Sequence, residues 1–182
     1  MTEELLPTLS KAALPAMGIA LMLFAAQRNR LSLANDLGFR APKSAPSVLF
    51  LLLWLLLIAV EEWLTSSIAE TRPKSWADYA ALIVVIRILA IGVLGPIAEE
   101  IAFRGLLMTF LNRTKLGIYG AIFISAALWS CAHFQYSPVL LAIIFVDGIA
   151  LGFARHITGS IYVPIAMHII GNCFSIYQSL SY

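Results

Sequence analysis

The sequence predicts an all-α fold: a polytopic integral membrane bundle of about six transmembrane helices. Three observations carry this expectation. Hydrophobic residues make up 60% of the 182 and charged residues only 12%, with a mean hydropathy of +0.88, well above soluble composition. Several apolar runs approach or exceed the ~20 residues a helix needs to cross a hydrocarbon core of about 30 Å. The few basic residues sit beside those runs, where they act as orientation signals.

In chain order, residues 1–11 read as a short polar start and residues 12–26 as the first span. A loop follows with Arg28, Arg30, Arg40, Lys43 and two prolines. Residues 47–60 form the second, Leu-rich span, which continues through Glu61-Glu62-Trp63-Leu64 to the headgroup level. Both glutamates are expected to face water there, with Trp63 as an interfacial aromatic. Residues 65–76 are a polar loop, and 77–94 form the third span, with Arg87 inside it. Arg87 is expected to find an internal partner, one of the buried carboxylates, rather than lipid. Gly95-Pro96 is expected to kink or break the helix. A motif helix then runs from Ile97 to Leu111, and further spans cover 116–134, 138–154 and 161–180. Taken as one straight helix, 77–111 would be roughly 50 Å long, too long for the core without such a break. Residues 1–76 thus form an N-terminal region of two spans and a basic linker, and 77–182 the core that carries the polar motifs.

Charge sets the orientation. Eight basic residues, Arg104 among them, fall on the side of loop 27–46, and three (Lys11, Arg72, Lys74) on the other. The loop is therefore expected in the cytoplasm and both termini outside. A net charge of +2 does not point to nucleic acid. Cys131 and Cys173 lie in apolar segments and read as small core residues. No basic region precedes the first apolar run, so a cleaved signal peptide is not expected.

Gly95-Pro96-Ile97-Ala98-Glu99-Glu100-Ile101-Ala102-Phe103-Arg104 places two carboxylates and an arginine within apolar surroundings, where charge is costly unless used. Glu100 and Arg104 are four apart and can pair. Glu99 points about 100° away from Glu100, so one glutamate is clamped and the other left free for chemistry or a ligand. Elsewhere, Trp129 and His133 are four apart on one helix, and His168 and Asn172 on another. Counting from the side of Arg113 and Lys115, Glu99 lies about 18 Å deep, His133 about 25 Å past residue 116 and His168 about 10 Å past Ile161. Kinks and tilt bring these toward one layer, and bundles build sites this way, from facing helices. Asp147 and any one histidine taken alone read as helix–helix packing contacts; six polar groups together read as a functional cavity.

A free carboxylate beside a neutral histidine can deprotonate water. A second histidine and an amide can donate to an oxyanion. That set suits amide hydrolysis, with Glu99 as base and Glu100–Arg104 as a clamp on the motif helix. No nucleophile-elbow serine and no His-Glu-x-x-His signature is present. Two histidines and a glutamate could also hold zinc, but the preferred reading takes no metal and no cofactor.

Glu99-Glu100-x-x-x-Arg104, Trp129-x-x-x-His133 and His168-x-x-x-Asn172, in this order on apolar helices, resemble the CAAX protease and bacteriocin-processing family, also called the type II CAAX prenyl endopeptidase or Abi family. The resemblance covers roughly residues 77–178, and Leu37-Gly38-Phe39-Arg40 looks like the linker common in such proteins. It implies an intramembrane glutamate protease that needs no metal. Glu99 and His133 would activate water, His168 and Asn172 would line the oxyanion site, and Glu100, Arg104 and Trp129 would support. The second motif's aromatic is often Phe and here is Trp129. The compact chain looks like the smaller bacterial members, which implies a multi-pass protein of the bacterial inner membrane. Its expected partners are the bilayer and a membrane-associated protein or peptide, prenyl-type or bacteriocin-like. The alternative is a non-catalytic immunity or scaffold protein using the same cavity.

Overall fold

A computed structural model describes residues 2–66, 68 and 75–181, with the side chains of residues 2 and 3 left aside. Among the described residues there are six helices and no strand. They are α1 (Thr2–Arg28), α2 (Ser44–Thr65), α3 (Ala81–Asn112), α4 (Gly117–Ala132), α5 (Pro138–Thr158) and α6 (Tyr162–Ser181). By length and composition α1, α2, α3 and α5 can each cross a membrane; α4 is apolar but has only 16 residues. The chain is a multi-pass membrane protein. Leu14, Leu21 and Phe24 of α1 and Leu52 and Leu56 of α2 are more than half exposed, as apolar side chains are when lipid replaces water as solvent.

Successive helices alternate in direction. At one end, Lys43 N–H donates to Thr158 O, Ile161 N–H to Gly38 O, and Thr109 Oγ1 to Asp36 O. Loop 29–43 thereby ties together the ends of α3 and α5 and the start of α6. At the other end Trp76 N–H donates to Ser179 O and Gln178 Nε2 to Glu62. Local chemistry explains the α5 boundaries. Ser137 Oγ accepts from Leu140 N–H with Pro138 in the first turn, and Gly159 ends the helix at φ 74, where glycine alone is unstrained.

Several expectations are corrected. Helix α1 begins at Thr2 and carries Pro7 and Pro15 inside it, so the polar start is helical. One reason is Glu4, whose carboxylate meets Arg87 Nη2 at 3.3 Å. Arg87 therefore finds its partner on α1, not among the motif carboxylates, and its guanidinium also lies 3.9 Å over Tyr79. Glu62 holds Gln178, while Glu61 turns inward toward Asp147. Cys131 and Cys173 are exposed, not buried in the core. Arg104 is buried and leaves the basic tally of its side; Arg72 and Lys74 lie outside the described residues.

Of the kink or break expected at Gly95-Pro96, the break does not occur. Helix α3 widens into π-helical turns at Ala90–Leu94 and Ile101–Leu107, on either side of the α-helical Gly95–Glu100. Gly95 N–H donates to Ala90 O, five residues back. Pro96 has no N–H to give Ile91 O in the same register. Asn172 Nδ2 supplies the missing donor, at 2.8 Å. Wide turns of this kind are frequent at functional sites, because each resets which face the following side chains present.

The core gathers Trp54, Trp129, Leu151, Ala154, Val163 and Met167. Helices α4 and α5 approach closely at Gly148 and Gly152, where an added Cβ would lie 2.8 Å from Ala126 Cβ and 2.9 Å from Ile122 Cγ2. Small residues four apart permit this in membranes.

Candidate active site

The two adjacent glutamates have opposite environments. Glu100 is fully buried and Oε1 accepts from Arg104 Nη1 at 2.8 Å. The same oxygen lies 3.0 Å from His168 Nδ1. Arg104 is also fully buried, and its Nη2 donates to Gly148 O at 3.1 Å. Buried charges persist when paired and hydrogen-bonded, and this pair is held by three helices: α3, α5 and α6. Glu100 Oε2 and Arg104 Nε have no partner among the described residues.

Glu99 remains one-third exposed. Its Oε2 accepts from Trp129 Nε1 at 2.6 Å and lies 4.0 Å from His168 Nε2. The indole is the hub of the site. His133 and His168 meet it edge-on, at ring distances of 5.4 and 5.1 Å. The Arg104 guanidinium lies over it at 4.5 Å, a cation–π contact favoured further by burial.

Hydrogen bonding fixes the proton on both imidazoles. His133 Nδ1 lies 2.8 Å from Trp129 O. A carbonyl can only accept, so Nδ1 carries the hydrogen and Nε2 is left without one. His168 Nδ1 donates likewise to the Glu100 carboxylate, which leaves Nε2 on the Glu99 side. His133 itself ends α4, with non-helical dihedrals of −96° and 26°, and its ring stacks on Tyr136 at 5.9 Å.

The structure thus brings Glu99, Glu100, Arg104, Trp129 and His168 into direct contact, with His133 joined through Trp129. Asn172 lies one turn beyond His168, and its hydrogen bond goes to Ile91 O. Among the described residues no three His, Cys, Asp or Glu side chains converge as metal ligands do. Sequence reasoning missed two contributions. Gly148 O as an Arg104 acceptor had a readable signal in the Gly148-x-x-x-Gly152 spacing. The donor role of the Trp129 N–H had none, because spacing places a ring but not its edge.

Comparison with known proteins follows this geometry. A family model described as type II CAAX prenyl endopeptidase Rce1-like matches residues 81–174, which is all of α3 through two residues past Asn172. The chain is also similar to an uncharacterized 24.3 kDa protein of Escherichia coli, 32% identical over 97 residues, covering 52% of this chain and 45% of that protein. The chain therefore matches less than half of that relative's length. No solved structure matches.

Proposed function

The chain belongs to the type II CAAX prenyl endopeptidase Rce1-like family, a protease family, and we propose that it is an intramembrane endopeptidase that hydrolyses its substrate with a water activated by Glu99. The observation that carries this reading is the division between the glutamates: Glu100 is fully buried and clamped, whereas Glu99 is one-third exposed and held by a hydrogen bond from the Trp129 indole. A general base must be oriented and reachable by water, and of the two only Glu99 is both.

In this mechanism Glu99 takes a proton from a water whose oxygen adds to the scissile carbonyl. His133 Nε2, left without a hydrogen by the bond at Nδ1, accepts from the same water and orients it. The oxyanion of the tetrahedral intermediate is met by His168 Nε2 in its protonated form, with Nδ1 anchored on Glu100. Asn172 positions this arrangement by holding the widened turn at Ile91, and its second N–H is available to the oxyanion. Collapse of the intermediate breaks the C–N bond, and the proton held by Glu99 passes to the leaving amine. The substrate is a membrane-associated protein or peptide, of the prenyl-type or bacteriocin-like class, and the setting is a bacterial inner membrane.

The test uses the full chain in detergent, with a panel of prenylated and unprenylated peptides, read by mass spectrometry with and without chelator. Cleavage that resists chelation and falls about 10²–10⁴-fold in Glu99→Gln, the range of general-base catalysis, is the expected result. Cleavage that survives the substitution, or is lost on chelation and restored by zinc, would overturn it.

A further inference from the structure

At the end of the bundle where α3 and α5 finish and α6 begins, a cavity of about 240 Å³ is lined by Arg40, Arg104, Arg113, Arg155 and His156, with Asp36 as its carboxylate. Its charges do not cancel. Arg113 pairs with Asp36 at 2.7 Å and Arg104 with Glu100 at 2.8 Å. Arg40 and Arg155 have no carboxylate partner among the described residues. Arg40 Nε donates to Gly159 O at 2.7 Å, and Arg155 Nη2 to Asp36 O at 3.1 Å. Both guanidiniums line the same cavity.

The fold holds them together nonetheless, and two glycines with positive φ make room for them. A Cβ on Gly38 would collide with the Arg155 guanidinium, and one on Gly159 would lie 2.8 Å from Arg40 Nη2. Guanidiniums gathered in one cavity without matching carboxylates cost free energy. One oxyanion offering several acceptor oxygens offsets that charge, and guanidinium forks match phosphate in geometry. The cavity sits at a membrane surface, beside Arg113 just past the end of α3 and His156 in the last turn of α5. Basic pockets between transmembrane helices at that depth receive lipid headgroups.

We propose that this cavity binds a phosphate-type oxyanion, carried by the headgroup of an anionic phospholipid or present as free phosphate. Through Arg104 the bound anion is one residue removed from the Glu100 clamp.

The test follows the unfolding temperature of the full chain in neutral detergent during titration with phosphatidylglycerol, phosphatidylcholine or inorganic phosphate. Phosphatidylglycerol is expected to raise it saturably and phosphatidylcholine, whose choline cancels the charge, to leave it unmoved. Saturation by inorganic phosphate instead assigns the free anion. In either case Arg40→Gln/Arg155→Gln should shift half-saturation at least tenfold. Arg28→Gln/Arg30→Gln, on the same face but outside the cavity, should not. If the double variant does not fold, Arg40→Gln alone, at an exposed side chain, should shift it about threefold. Equal response to both lipids with none to phosphate, or a response that the cavity variants leave intact, would overturn the proposal.

Discussion

Trp129 Nε1 donates to Glu99 Oε2 at 2.6 Å, so the aromatic of the second motif is also the donor that aims the candidate base. Trp129→Phe keeps a ring between the two histidines and removes that donor. Hydrogen bonds to charged groups are worth about 1.5–3 kcal/mol, and about 1.4 kcal/mol is tenfold in rate. If the bond is needed to hold Glu99 in its reactive position in the transition state, kcat should fall roughly 10–100-fold. The unfolding temperature should change little. Steady-state kinetics on the peptide found by the cleavage panel, beside a thermal melt, checks both. A variant with full kcat would mean that Glu99 is oriented by something else.

The clamp gives a stability prediction of the opposite kind. Arg104→Met leaves Glu100 buried with only His168 beside it. Removing one partner of a buried pair costs about 3–5 kcal/mol, whereas replacing both by apolar groups is often near neutral. Arg104→Met should therefore melt well below the parent, and Glu100→Leu/Arg104→Met should recover much of the loss while remaining inactive. Thermal unfolding of the single and double variants in one detergent decides this. A double variant no better than the single one would show that the pair itself, and not the orphaned charge, holds the helices.

The Asn172–Ile91 bond makes a prediction that can be closed as a cycle. Asn172→Ala leaves Ile91 O without its donor, a loss of about 1–3 kcal/mol for a buried group. Pro96→Ala returns a backbone N–H to the turn that faces that carbonyl. The second substitution should thus be less damaging, or stabilising, in the Asn172→Ala background than in the parent. Coupling between contacting residues runs to about 0.5–3 kcal/mol, and a coupling near zero would separate Asn172 from the proline turn.

What the sequence makes legible here follows from periodicity. Glu100 and Arg104 are four apart on one helix, and the structure pairs them; the helix count and the three polar motif pairs are read the same way. Periodicity says nothing about partners far apart in sequence. Arg87 and Glu4 are 83 residues apart, and the polar start of α1 looks like loop until that partner is known. Pro96 signals a break because the proline rule concerns the chain's own hydrogen bonds. Here a side chain from α6, 81 residues beyond Ile91, supplies the bond, and the helix continues. The motif spacing places Asn172 one turn from His168, but its bond to Ile91 O depends on a π-helical register that no residue pattern announces.

The approach of α4 and α5 yields a final prediction that separates packing from chemistry. A Cβ at Gly148 would lie 2.8 Å from Ala126 Cβ, 3.0 Å from Ala126 Cα and 3.2 Å from Trp129 Cε3. Backbone cannot rotate away, so Gly148→Ala must move the helices apart or push the indole, and overpacking of this kind costs about 1–3 kcal/mol. Because Gly148 O also holds Arg104 and Trp129 holds Glu99, the displacement reaches both glutamates. Activity per folded molecule should fall along with stability. Gly152→Ala, four residues on, meets chiefly the Ile122 side chain, at 2.9 Å, which can change rotamer. It should lose stability to a smaller degree and keep its activity per folded molecule. Melting curves and kinetics measured on the same preparations distinguish the two. Equal loss of activity in both would place the effect in helix packing at large and not in the position of Trp129.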